Sequence, residues 1–194
     1  SVLRDFVELP SQIFEHWLEQ PDVLRRHARH WRTGEPIPQE LVARLLRARR
    51  FNQGYETVRY AASALVDMAV HAQTGGAPQD VCAFERAELE RHGVPPEIGL
   101  NHRLVHFQHL FSGSAYAAGY YVYLWAEVLE ADGFDAFVEA GDPFDPAVAE
   151  RLKRFIYSVG DSGAPADAFR AFRGRDPKID AMLEKRGLIA ASDP

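Results

Sequence analysis

Tyr55-Glu56-Thr57-Val58-Arg59-Tyr60-Ala61-Ala62-Ser63-Ala64-Leu65-Val66-Asp67-Met68-Ala69-Val70-His71-Ala72-Gln73 reads as one long helix. Val58, Ala61, Ala62, Leu65, Met68 and Ala69 spread around it, and a helix apolar on several faces is usually buried. Thr74-Gly75-Gly76 ends it, and Asn52-Gln53-Gly54 separates it from a helix entered at Pro38 that carries Leu41, Leu45 and Leu46. Further upstream, a turn falls at Gly34 to Pro36. A short basic helix runs from Pro21 to near Trp31, and residues 6–19 place Phe6, Leu9, Ile13, Phe14 and Trp17 at helical spacing, with Pro10 allowing a kink. Downstream, a helix is expected from about Pro78 to Arg91, stopped by Gly93. Residues 93–112 are the least regular. An aromatic helix is expected from about Tyr116 to Leu129, and Asp145-Pro146 caps a helix striped with Val148, Leu152, Ile156 and Val159. Phe169 and Phe172 mark a short helix, and a last one runs from Asp176-Pro177 to Gly187. No alternating strand pairs, internal repeats or low-complexity tracts occur. The expectation is a mainly α fold forming a single helical unit over 1–194.

Composition narrows the function. The 194 residues are 46% apolar and 26% charged, enough to bury a core, with net charge −6. No dense Lys/Arg block supplies a footprint for nucleic acid. Arg25, Arg26, Arg29 and Arg32 read as a solvated helix face. No stretch has transmembrane length without charge, and Ser1-Val2-Leu3-Arg4-Asp5 is no signal peptide. The single cysteine, Cys82, excludes an internal disulfide and favours a reducing compartment, hence a cytoplasmic location.

Three places hold residues suited to chemistry. Glu8 and Glu15 lie two helical turns apart among apolar neighbours, and an embedded carboxylate needs a metal, a cation or a donor. Zinc accepts carboxylate oxygen, but a solvated or salt-bridged pair explains the same spacing and is the favoured reading. His102, His106 and His109, at spacings of four and three, could share a helix face as a metal site. Pro95-Pro96 and Ser112-Gly113 close by make three separate histidines the better reading. Tyr116, Tyr120 and Tyr123 fall on one helical stripe beside Ala117, Ala118 and Gly119. Three phenols in a core would each need a partner, so a satisfied aromatic stripe competes evenly with a binding site. The flexible Gly113-Ser114 entry tips the balance towards a site.

Taken together, these segments resemble the thimet-oligopeptidase and peptidyl-dipeptidase (dipeptidyl carboxypeptidase) family of zinc metallopeptidases, which includes oligopeptidase A. Arg4-Asp5-Phe6-Val7-Glu8-Leu9-Pro10-Ser11-Gln12 is similar to the segment after the family's HExxH helix. The resemblance gives Glu8 the role of a zinc ligand and Glu15 that of orienting a zinc-bound histidine. Phe51-Asn52-Gln53-Gly54 resembles a family helical segment. His109-Leu110-Phe111-Ser112-Gly113 resembles the loop over the cleft, and Tyr116 to Trp125 the tyrosine helix in its bacterial peptidyl-dipeptidase form. Phe172-Arg173-Gly174-Arg175 and Arg186-Gly187-Leu188 resemble its C-terminal ending.

The resemblance implies the C-terminal part of a neurolysin-like zincin catalytic domain. It implies that His109, Tyr116 and Gly113 bind the substrate backbone. Tyr123, supported by Tyr120 and His109, would stabilise the oxyanion of the tetrahedral intermediate. One departure bears on activity: none of the eight histidines is followed by Glu, so HExxH is absent. Ala115 also stands where the family commonly has Gly. Zinc is therefore expected in the intact enzyme but not bound tightly by this chain, which is expected to be inactive alone. The expected partners are short peptide substrates and the missing N-terminal part of the same enzyme, with no nucleic acid and no membrane. A naturally truncated, non-catalytic peptide-binding paralogue is the competing reading. The missing initiator Met favours an excised piece, which should leave apolar surface exposed.

Overall fold

A computed structural model describes residues 2–190. Its α-helices are α1 Arg4–Val7, α2 Leu9–Glu15, α3 Pro21–His27, α4 Gln39–Arg49, α5 Gln53–His71, α6 Val81–Arg91, α7 Gln108–Phe111, α8 Val122–Ala140, α9 Pro146–Leu152, α10 Pro165–Arg173 and α11 Asp180–Lys185. Short 3₁₀ turns lie at His16–Glu19 and Leu104–His106, and a π-helical turn at Lys153–Tyr157. Among the described residues there is no strand, only an isolated bridge between Arg29 and Pro36. The mainly α expectation is met, and no described helix is long and apolar enough to cross a membrane.

Local chemistry sets most boundaries. Pro21, Pro146 and Pro165 enter the first turns of α3, α9 and α10, where a missing N–H costs nothing. The Asp145 and Asp80 carboxylates cap α9 and α6, accepting the Val148 N–H at 2.8 Å and the Ala83 N–H at 2.9 Å. Gly174, at φ +76°, ends α10 in the left-handed region. Where the expected 6–19 helix was continuous, the chain instead breaks at Glu8, between α1 and α2. Pro10 enters the first turn of α2 rather than kinking an interior. Residues 113–121 are turns, so the aromatic helix begins only at Val122, and it runs on to Ala140 instead of stopping at Leu129.

The described residues cluster into two compact units, one of 2–51 with 125–190 and one of 52–124. In the first, Phe6, Leu9 and Ile13 pack with Leu129, Phe134, Phe137, Leu152, Ile156, Phe169 and Phe172. Trp17 sets its indole edge-on to Phe134 and Phe137, with its N–H donating to the Pro143 carbonyl at 2.8 Å. Two carboxylates of α8 are buried in this unit with side-chain partners: Glu130 with the His16 ring and the Lys185 ammonium, Asp132 with the Arg173 and Arg175 guanidinium groups. In the second unit, Ala62 and Val66 pack with Leu100, Leu104, Phe107 and Leu110. The expectation that α5 is buried on several faces is corrected. Ala62, Ser63, Val66 and Asp67 are buried, but Leu65 and Met68 are 40% and 47% exposed.

Candidate functional site

The second unit builds its site on one stripe of α5. Tyr60, Ser63, Asp67 and His71 recur at steps of three and four, so they share a helix face. That face is polar on an otherwise apolar helix. The Ser63 hydroxyl, fully buried, donates to the Arg59 carbonyl at 2.9 Å and accepts the Asn101 N–H at 3.0 Å. Asn101 in turn donates through Nδ2 to the Tyr120 hydroxyl at 3.3 Å. The Tyr60 hydroxyl donates to the Tyr120 carbonyl at 2.6 Å, and the two rings stack with centroids 4.9 Å apart. The Asp67 carboxylate accepts the Tyr120 N–H at 2.8 Å and the Ala118 N–H at 3.1 Å.

These supports gather His109 and the three tyrosines into one cluster. His109, on α7, lies with its ring centroid 4.6 Å from Tyr116, 5.8 Å from Tyr120 and 5.7 Å from Tyr123. His109 Nε2 and the Tyr123 hydroxyl are 3.0 Å apart, a hydrogen bond whose donor depends on the imidazole tautomer. Phe107 sets its buried ring edge-on to Tyr120 at 4.8 Å, a wall beneath the cluster. The tyrosines meet, but not as a helical stripe. Tyr116 and Tyr120 sit in a turn where Ala118 has φ +52°, and only Tyr123 is helical. Gly113 lies on the exposed loop before that turn, and its carbonyl accepts the Tyr116 N–H at 3.4 Å.

His102, His106 and His109 do not share a helix: His106 ends a 3₁₀ turn, His109 is the second residue of α7, and His102 stands before both. All three are exposed. In the first unit, Glu8 is half-buried at the junction of α1 and α2, and its carbonyl accepts the Ser11 hydroxyl at 2.9 Å. Glu15 is exposed at the end of α2. Among the described residues, no three His, Cys, Asp or Glu side chains are grouped to hold a metal. Zinc takes three or four protein ligands. Glu8 is a single donor, so the residues described do not complete a zinc site. Asp67, Ser63, Tyr60 and Asn101 were not singled out from the sequence. The available signal was the polar stripe on α5, four residues wide and easily lost among its alanines.

A family model described as Peptidase family M3 matches residues 1–188. The dipeptidyl carboxypeptidase of Escherichia coli (strain K12) is 43% identical over 187 residues, covering 95% of this chain and 27% of the relative. Oligopeptidase A of the same strain is 40% identical over 188 residues, again 95% and 27%. The organellar oligopeptidase A, chloroplastic/mitochondrial, of Arabidopsis thaliana is 41% identical over 192 residues, 97% of this chain and 24% of the relative. The chain thus spans about a quarter of the length of these curated relatives.

Proposed function

The chain belongs to peptidase family M3, and on that premise we propose that it is the part of a zinc metallopeptidase that binds the substrate backbone and stabilises the oxyanion during hydrolysis of short peptides. The observation that carries this reading is the 3.0 Å pair of His109 Nε2 and the Tyr123 hydroxyl, with the Tyr116 and Tyr120 rings packed around the same imidazole. When His109 carries its proton on Nε2, the imidazole donates to the phenol oxygen. The Tyr123 O–H is then the group that donates to the oxygen that gains charge in the tetrahedral intermediate. Tyr116 is exposed beside this pair and supplies a second hydroxyl towards the peptide backbone. Gly113, on the adjoining loop, lets that backbone approach closely.

Glu8 is assigned one ligand position of the zinc, and Glu15 the orienting of a zinc-bound histidine. The remaining ligands and the general base are assigned to an HExxH segment elsewhere in a longer polypeptide. The wording of Tyr116 to Trp125 favours release of dipeptides from C-termini over internal cleavage, and the single cysteine favours the cytoplasm.

The test is expression of the longer reading frame. It should contain HExxH and cleave short peptides in a chelator-sensitive way. Tyr123→Phe should lower kcat by about 10²–10³ with little change in KM, the usual cost of one oxyanion donor. Product analysis on a hexapeptide separates dipeptide release from internal cleavage. The 194-residue chain alone should show no one-to-one zinc site by titration calorimetry and no hydrolysis. A frame without HExxH removes the enzyme reading and leaves the non-catalytic peptide-binding paralogue.

A further inference from the structure

We infer that Asp67 is the positioning residue of the tyrosine cluster, holding the turn that places Tyr116 and Tyr120 around His109 and leads into Tyr123. This rests on the peptidase reading for its consequence, though not for its geometry. Asp67 has no exposed surface, yet it sits in the middle of α5, where a lone carboxylate would be unstable. Three donors answer it. Oδ2 accepts the Tyr120 N–H at 2.8 Å, and Oδ1 accepts the Ala118 N–H at 3.1 Å and His71 Nδ1 at 2.8 Å.

Ala118 N also lies 3.2 Å from His71 Nδ1. An N–H cannot donate to a nitrogen that is itself protonated. Nδ1 at 2.8 Å from a buried carboxylate carries the proton, so the Ala118 N–H belongs to Oδ1. One side chain thereby gathers the amides on both sides of Gly119. That tethering holds Ala118 at φ +52°, a conformation alanine rarely adopts. The backbone reverses there, with Tyr116 before the reversal and Tyr120 and Tyr123 after it. Asn at position 67 would keep one acceptor and turn an NH₂ group against an amide donor, breaking the tether at constant size.

The experiment uses the full-length polypeptide with a quenched peptide substrate, kcat being expressed per folded molecule from circular dichroism. Hydrogen exchange is followed over residues 113–121. Asp67→Asn should lower kcat by about 10²-fold, the usual cost of a misplacement near 1 Å. KM should shift less than about threefold, because ground-state binding is largely spared. Exchange over 113–121 should accelerate while that over 126–137 does not. Ala118→Gly added to Asp67→Asn should recover part of kcat, since glycine adopts φ +52° without strain.

A kcat for Asp67→Asn within about threefold of wild type overturns the inference, as does a loss that vanishes on correction for folded fraction. With Tyr123→Phe impaired in the same assay, the peptidase reading survives that outcome. A wild-type protein that cleaves nothing removes the peptidase reading, and exchange over 113–121 then decides the Asp67 tether alone. Should Asp67→Asn fail to fold, Ala118→Val strains the same turn without touching the carboxylate. An unchanged kcat in that variant equally overturns the inference.

Discussion

Asp132 and Asp135 sit three residues apart on α8 and titrate in opposite directions. Burial pushes the Asp132 carboxyl up. The Arg175 guanidinium, which grips both its oxygens at 2.6 Å, the Lys178 N–H at 2.7 Å and the charge of Arg173 more than offset this, leaving it below the usual range. Its stabilisation is complete above the unfolded value of about 4 and disappears as pH falls through the lower folded value. Asp132→Asn takes the carboxylate from Arg175 and leaves Arg173 with Glu139 alone, and should cost about 3 kcal/mol, read as a lowered urea midpoint at pH 7. Asp135 is raised to about 6, by burial first and then by the Asp132 charge. The folded state therefore holds a proton that the unfolded chain has released, and stability declines as pH climbs from about 4 to 6. The side chain is only half-buried, so the decline is on the order of 1 kcal/mol after solvent screening. Asp135→Asn should flatten that segment of the stability curve and raise the urea midpoint at pH 7 relative to wild type.

At the scale of elements, two small residues of similar type do opposite work. Gly133, inside α8, has Ile13 Cδ1 3.1 Å and Phe172 Cε1 3.5 Å from the place its Cβ would occupy. That absent side chain lets α2 and α10 close on α8. Gly133→Val should cost about 2–3 kcal/mol by overpacking, seen as a lower Tm with unchanged helical signal after refolding. Ala118 lies in a left-handed turn, where a Cβ is a liability. Ala118→Gly alone should shift stability by less than about 0.5 kcal/mol, strain relief balancing backbone entropy. Ala131→Gly, in the buried interior of α8, should cost about 1 kcal/mol or more. Comparing the two Tm values checks whether the turn is strained.

At the scale of the whole molecule, the boundary between the two compact units passes through the first turn of α8, between Leu124 and Trp125. Small chains commonly unfold in a single cooperative transition. We propose that 1–194 unfolds as one unit. Calorimetry should give a single transition with matching calorimetric and van't Hoff enthalpies, and two resolved peaks would reject it. Leu18, Leu45, Phe51 and Val138 are all more than half exposed. Large apolar side chains left exposed in this way promote association. The isolated chain should show concentration-dependent self-association in sedimentation, weakened by Leu18→Lys with Leu45→Lys.

Much of this architecture was legible without coordinates, because its causes are local. Pro21, Asp145-Pro146 and Gly93 act on the chain within a turn of themselves, and the periodic apolar residues of α2, α9 and α10 declare their buried face through spacing alone. Family membership was legible for a similar reason: it lies in ordered short motifs such as Phe6-Val7-Glu8 and Tyr116 to Trp125, which need no geometry to be read. The conformation of 113–121 was not legible. Its alanines and tyrosines favour a helix by propensity, and that preference is overridden by a carboxylate some fifty residues earlier, which gathers the Ala118 and Tyr120 amides. The fate of α5 was hidden likewise, since Leu65 and Val66 have the same affinity for a core and only packing decides which is covered. Sequence determined the helical class, those helix ends marked by a proline, a capping aspartate or a glycine, and the identity of the chemical groups, because each depends on neighbours along the chain. Tertiary structure alone decided which groups meet, because a hydrogen bond across the fold depends on distance in space, and sequence separation carries no record of that.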